Sequence, residues 1–182
     1  MFNIPVLGIC SLSSGMGKTT LLTGLIPLLA GHGIRVSVIK QTHAQFDVDR
    51  PGKDSYRMRE AGATQVLLSA PDRWVLMTEQ ALGEDDNRVL QMVQHLDASA
   101  ADLVLVEGFR HAPIPKIEVY RAASDKPPLA VRDQDIIAIA SDMPVLSPAH
   151  RLDLNNHGEI VQYILDWLQT RQSAQGLTSM AR

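Results

Sequence analysis

"LSSGMGKTTLL", residues 12–22, decides how this chain reads. A loop that cradles phosphate follows G-x-x-x-x-G-K-[ST], and this stretch meets every specified position but the first, where Leu12 stands in place of glycine. The pattern works through backbone geometry. Glycines let the chain pass close to phosphate oxygens, while successive N–H groups and the N-terminus of the following helix point at the anion. Gly15 and Gly17 supply that backbone, Lys18 the charge for the outer phosphates and Thr19 a hydroxyl for Mg²⁺; Ser13 and Ser14 are small enough to permit the turn. Leu12 falls where the preceding strand ends, a position that tolerates a side chain. The candidate nucleotide ligands on this loop are therefore Ser14, Gly15, Met16, Gly17, Lys18, Thr19 and Thr20. A plain Ser/Gly loop capping a buried helix is the competing reading. It would leave Lys18 at the positive end of a helix dipole with no anion to hold.

The flanks supply the required context. "IPVLGIC" (4–10) is an apolar run ending in a turn, and residues 18–30 space Leu21, Leu22, Leu25, Ile26, Leu28 and Leu29 as a largely buried helix containing Pro27 and stopped by Gly31 and Gly33. "IRVSVIK" (34–40) alternates as a strand does. Strand, loop, helix and strand make a crossover unit of a parallel sheet. Further on, a polar loop leads to a helix begun by Asp54 or Ser55 and ended by Gly62. "TQVLLSA" and "RWVLMTE" flank Pro71-Asp72 as a hairpin over about 64–79. Residues 84–97 predict an amphipathic helix with Val89, Leu90, Val93 and Leu96 on one side. "DLVLVEG" (102–108), "KIEVYR" (116–121) and "DIIAIAS" (135–141) predict buried strands, and "GEIVQYILDWL" (158–168) a last helix with Ile160, Ile164 and either Trp167 or Leu168 inward. The expected fold is α/β and P-loop NTPase-like, a mostly parallel sheet flanked by helices with an extra hairpin. One nucleotide-binding domain over 1–170 and a flexible polar tail over 171–182 are expected.

Composition narrows the function classes. The net charge of −3 and the lack of a basic stripe disfavour nucleic acid as a partner. No apolar run approaches the roughly 20 residues of a membrane helix, and no secretory leader precedes the first strand, so a cytoplasmic protein is expected. Cys10 is the one cysteine; it forms no internal disulfide and reads as inert core.

Mg²⁺ takes oxygen ligands, commonly a carboxylate with phosphates and water. Glu107 ends the strand "LVLVEG", where an acid beside a phosphate loop belongs, and Gly108 permits close approach to the outer phosphate. Asp47 and Asp49 in the loop after the second strand are the other candidates. The metal set is thus Thr19, Glu107 and Asp47, and the catalytic pair is Lys18 and Glu107. His43 lies near these aspartates, but the other histidines are scattered and no cysteine joins them, which argues against a transition-metal centre. For the base, Asp142 follows a strand in "AIASDMP" (138–144), on the edge where ligands bind in such sheets, and an aspartate suits guanine. The usual Asn-Lys-x-Asp string is absent, so guanine and adenine both stay open on chemistry alone.

"SGMGKTTLL", "IKQTH", "FDVDRPGKDSYRMREAGA", "RWVLMTE", "LVLVEGFRH" and "PKIEVYR" together give a resemblance to the molybdopterin-guanine dinucleotide biosynthesis protein B (MobB) family. That family also lacks the first glycine of the loop. The resemblance implies a GTP-binding adapter with Mg²⁺ and weak hydrolysis, which assists the guanylyltransferase that joins GMP to molybdopterin. It further implies a homodimer and a mobile "DVDRPGKDS" segment over the nucleotide or the pterin-bearing partner. By position it assigns Gly15, Gly17, Lys18, Thr19 and Thr20 to phosphates and Mg²⁺, and Glu107 and Gly108 to the outer phosphate. Gln41, Ala44 and Gln45 depart from a more histidine-rich pattern. The alternative is a small-molecule kinase or ATP-dependent ligase, whose lid would use Arg50, Lys53, Arg57 and Arg59.

Overall fold

A computed structural model describes residues 4–42, 48–79, 87–122 and 124–180. His43, Ala44, Gln45, Asp47 and the beginning of the helix expected from residue 84 lie outside the described residues. The chain divides into two compact units, Met1–Gln41 with Asp86–Arg182, and Thr42–Asp85.

The first unit is built on six strands: β1 (Val6–Cys10), β2 (Val36–Lys40), β5 (Leu103–Glu107), β6 (Lys116–Tyr120), β7 (Ile136–Ser141) and β8 (His150–Asp153), in the spatial order β2-β5-β1-β6-β7-β8. Every pairing is parallel. Such strands are buried on both faces and read as continuous apolar runs, and all five residues of β5 are indeed buried. Strand alternation sends Leu7, Ile9, Leu103, Leu105, Ile117 and Val119 to one face, where α1 (Lys18–Gly31) and α4 (His157–Met180) cover them. The other face carries Val104 and Val106 against α3 (Arg88–Val93), Phe109 and Ile114.

The helices refine the sequence expectation. In α1, Leu21, Leu22, Leu25 and Leu29 are buried, but Leu28 points off that face and is exposed. The chain leaves α1 through Gly33, whose φ of 78° is the left-handed exit that glycine permits; Gly31 is inside the helix. In α3, Val89 and Val93 stand one turn apart and face the sheet, while Leu90, a step of about 100° round the helix, faces out. In α4, Leu168 takes the inward place and Trp167 is half-buried. β8 was not foreseen: "HRLD" has a single apolar residue, because an edge strand need bury only Leu152.

Two charged residues lie where an apolar strand was expected. Lys116 and Glu118 of β6 are wholly buried. Lys116 Nζ donates to the Ala112 carbonyl at 2.7 Å and pairs with Asp133 at 3.2 Å and Asp135 at 3.7 Å. Its stem crosses β1 at Gly8, where a Cβ would stand 2.8 Å from Lys116 Cγ. Glu118 accepts the N–H groups of Leu129 and Ala130 at 2.8 and 2.9 Å. Burial pushes its carboxyl above the ordinary range, against those two bonds. The neighbouring Cys10 thiol is pushed up to about 12, first by burial and then by Glu118, so it stays protonated and unreactive.

The second unit contains α2 (Asp54–Glu60) and the antiparallel hairpin of β3 (Gln65–Ala70) and β4 (Arg73–Thr78), turned at Pro71-Asp72. Val66 and Met77, paired across the hairpin, are its buried apolar residues. Neither Asp54 nor Ser55 caps α2. Lys53 holds the cap position, Asp54 stands in the first turn where its charge suits the helix dipole, and Ser55 Oγ donates to Asp49 at 2.9 Å.

Candidate functional site

In a parallel sheet all C-terminal strand ends emerge on one edge, and ligands bind there where neighbouring connections diverge. β1 lies at the centre between β5 and β6, so its following loop opens beside the ends of both. Gly15 and Gly17 have φ of 79° and 96°, a left-handed backbone that lets the loop fold back over the start of α1. Gly17 holds the cap position of α1 with no side-chain hydrogen bond, and the first turn contains no acid. The helix thus offers its initial N–H groups and positive dipole end to an external anion. Lys18 Nζ donates to Ser11 Oγ at 2.8 Å and to the Ser13 carbonyl at 3.3 Å, arching over the loop. Ser14, Thr19 and Thr20 are exposed along it, with Met16 half-buried.

Alternation in β5 places Glu107 on the face of Leu103 and Leu105, the face of α1. Thr19 Oγ1, at the start of that helix, donates to Glu107 Oε1 at 2.8 Å. Two adjacent oxygens of an octahedral Mg²⁺ shell, each about 2.1 Å from the metal, lie roughly 3.0 Å apart. The Thr19–Glu107 pair therefore matches two neighbouring vertices, and phosphate oxygens and water would complete the set. Thr19 and Glu107 stand together; Asp47 is outside the described residues, and Asp49, in the other unit, accepts bonds from Ser55 Oγ and the Arg50 N–H.

Gly108 follows at φ 94°, its N–H bonded to the Ile9 carbonyl at 3.1 Å, and Phe109 holds φ 48°, a conformation that is strained for a side chain of its size. Gln41 makes this turn possible. Its Oε1 accepts the Phe109 N–H at 2.7 Å, and a Cβ on Gly108 would come within 2.9 Å of Gln41 Cβ. One of the positions where the chain departs from the expected histidine-rich pattern is thus a backbone brace. Arg110 Nη1 donates to the Leu12 carbonyl at 3.0 Å, which ties this turn to the first position of the phosphate loop.

Two cations at strand ends were not singled out in the sequence. Lys40 ends β2 in register with Glu107, and its Nζ lies 3.2 Å from Glu107 Oε1 and 3.3 Å from Thr19 Oγ1. Arg121, just past β6, donates from Nε to the Met16 carbonyl at 3.0 Å and from Nη1 to Asp142 Oδ2 at 3.3 Å. Asp142 also accepts the Ala122 N–H at 2.9 Å. The proposed base-reading aspartate is thus linked through Arg121 to the loop itself. A signal was available for Arg121, which like Glu107 is a charge at the end of a buried strand; Lys40 ends β2, a half-exposed edge strand, and gives no such signal. Of the lid candidates for a kinase, Arg59 is engaged with Glu79 at 2.6 Å.

Comparison with known proteins accords with this geometry. The family model for molybdopterin guanine dinucleotide synthesis protein B matches residues 6–142. A molybdopterin-guanine dinucleotide biosynthesis adapter protein of Escherichia coli K12 is 43% identical over 167 residues, covering 91% of this chain and 94% of that protein. The protein of the same name from Haemophilus influenzae is 45% identical over 165 residues, covering 91% and 90%. The crystal structure of a molybdopterin-guanine biosynthesis protein B superposes with a TM-score of 0.65 at 25% identity, covering 89% of this chain and 99% of the other. The adapter names favour the first of the two readings over the kinase or ligase. With its phosphate loop, its acid-terminated β5 and relatives that match nearly end to end, the chain belongs to the molybdopterin guanine dinucleotide synthesis protein B (MobB) family.

Proposed function

We propose that this protein is a GTP- and Mg²⁺-binding adapter in the biosynthesis of molybdopterin guanine dinucleotide, working with the guanylyltransferase that attaches GMP to molybdopterin. The observation that carries the nucleotide reading is the Thr19–Glu107 pair beside an uncapped helix N-terminus. Loop residues Ser14 to Thr20 hold the phosphates, Lys18 neutralises the outer ones, and Thr19 and Glu107 hold the cation, with Gly108 alongside. Mg²⁺ would supply charge neutralisation between the phosphates. Asp142 reads guanine, since each of its oxygens keeps a lone pair beyond its bond to Ala122 or Arg121. Hydrolysis is slow: Arg110, the arginine nearest Glu107 in sequence, is bonded to the Leu12 carbonyl instead of standing free to act on a transition state. The protein works in the cytoplasm; among the described residues no helix is long and apolar enough to cross a membrane. It assembles as a homodimer through β3 and β4, where Leu67, Leu68, Trp74, Val75 and Leu76 are all exposed. A dimer that survives deletion of residues 64–79 in sedimentation would remove that interface.

The decisive experiment is calorimetry with non-hydrolysable GTP and ATP analogues, with and without Mg²⁺, on wild type and Glu107→Gln. The GTP analogue is expected to bind more tightly than the ATP analogue, and Mg²⁺ to strengthen binding in the wild type much more than in the variant. Preference for the ATP analogue would overturn the base assignment, and phosphate transfer to a small acceptor would restore the kinase reading.

A further inference from the structure

Lys40 is a charge without a duty in the reading above. β2 is already tied to β5 by a full parallel ladder and by Arg35, whose guanidinium grips Asp102 through two nitrogens at 2.8 and 2.9 Å and holds that carboxyl down at about 2. An exposed ion pair adds little to such a junction, and the Lys40 side chain is 56% exposed. Yet its ammonium is placed with some care. Register sets Lys40 opposite Glu107, and Nζ stands 3.2 and 3.3 Å from the two oxygens, Glu107 Oε1 and Thr19 Oγ1, that match neighbouring Mg²⁺ vertices. A positive charge at that point satisfies the same lone pairs that the metal needs and repels a second cation by like charge.

We propose that Lys40 is the internal counter-cation of the Mg²⁺ site: it competes with the metal for Thr19 and Glu107, and on nucleotide binding it passes to a phosphate oxygen. This rests on the Mg²⁺-nucleotide reading given above. The long, mostly exposed stem lets the ammonium move without disturbing β2, because only the head group is bonded. Two consequences follow from linkage. Lys40 supports nucleotide binding when Mg²⁺ is absent, by supplying the missing positive charge, and it lowers the gain that Mg²⁺ brings. A structural lysine would do neither; its loss would weaken binding equally in both conditions.

The test is calorimetry of the full chain with a non-hydrolysable GTP analogue, in EDTA and in Mg²⁺, on wild type, Lys40→Met and Lys40→Arg, with thermal unfolding of each. In Lys40→Met the analogue is expected to bind about tenfold more weakly in EDTA, and the affinity gained on adding Mg²⁺ to grow by about the same factor, the size of an ordinary coupling between sites. Lys40→Arg keeps the charge and should stay near wild type. An unchanged Mg²⁺ gain in folded Lys40→Met overturns the proposal and leaves the nucleotide reading intact. A wild type that binds no analogue, or gains nothing from Mg²⁺, overturns that reading and this proposal with it. Should Lys40→Met not fold, Lys40→Gln carries the same expectations.

Discussion

Lys18→Ala is expected to abolish measurable GTP binding while leaving the protein folded. Nζ of Lys18 bonds only within its own loop, to Ser11 and Ser13, so no part of the sheet depends on it. On the proposed reading its partners on a nucleotide are phosphate oxygens, and a charge-assisted hydrogen bond contributes about 1.5–3 kcal/mol. Two of them lost together give roughly 3–6 kcal/mol, and each 1.4 kcal/mol is about a tenfold change in affinity. The variant should therefore bind at least about a hundredfold more weakly by calorimetry. Its melting temperature in the absence of nucleotide should match the wild type within a degree or so, since a half-exposed lysine at the first position of α1 contributes little to folding. Retained binding would mean that the loop is a structural turn whose helix dipole meets no anion.

Lys116→Met should produce the largest loss of stability with the smallest change at the site. Methionine fills most of the stem's volume across Gly8, so the change removes the charge and little packing. It strands the Ala112 carbonyl and leaves Asp133 and Asp135 without their common cation, beside Glu118, a buried acid on the same strand. Removing one partner of a buried pair is destabilising by about 3–5 kcal/mol. Asp133 and Asp135 keep some contact with water, which places the expectation at the lower end, about 3 kcal/mol. For a chain of this length that is a fall of about 6–12 °C in melting temperature. Nucleotide affinity should hold, because Lys116 stands at the opposite end of β6 from Arg121 and the loop. A melting temperature equal to the wild type would show that the buried charges contribute nothing net. A fall accompanied by lost nucleotide affinity would show that the β6 network also braces the site.

The part of this protein legible in the sequence is the part built by local chemistry. A buried strand, two glycines, a lysine, a threonine and a leucine-rich helix form one continuous segment, and each residue's role follows from its neighbours along the chain. Glu107 was legible for the same reason: it ends an apolar run that only a central strand explains. The hairpin announced itself through two β-rich stretches round Pro71-Asp72. What tertiary structure alone decided is the pairing of residues far apart in sequence. Lys40 meets Glu107 because β2 lies next to β5 in a particular register. Arg121 meets Met16 and Asp142 because β6 lies between β1 and β7. Lys116 and Glu118 are buried because the segment around Asp133 and the short 3₁₀ turn at Leu129–Val131 bring their partners across β6, and no periodicity along "KIEVY" reveals those partners. Periodicity reports which side of an element is covered; it carries no information about what covers it, and charges can be buried only where the covering chain supplies the opposite charge or a backbone donor.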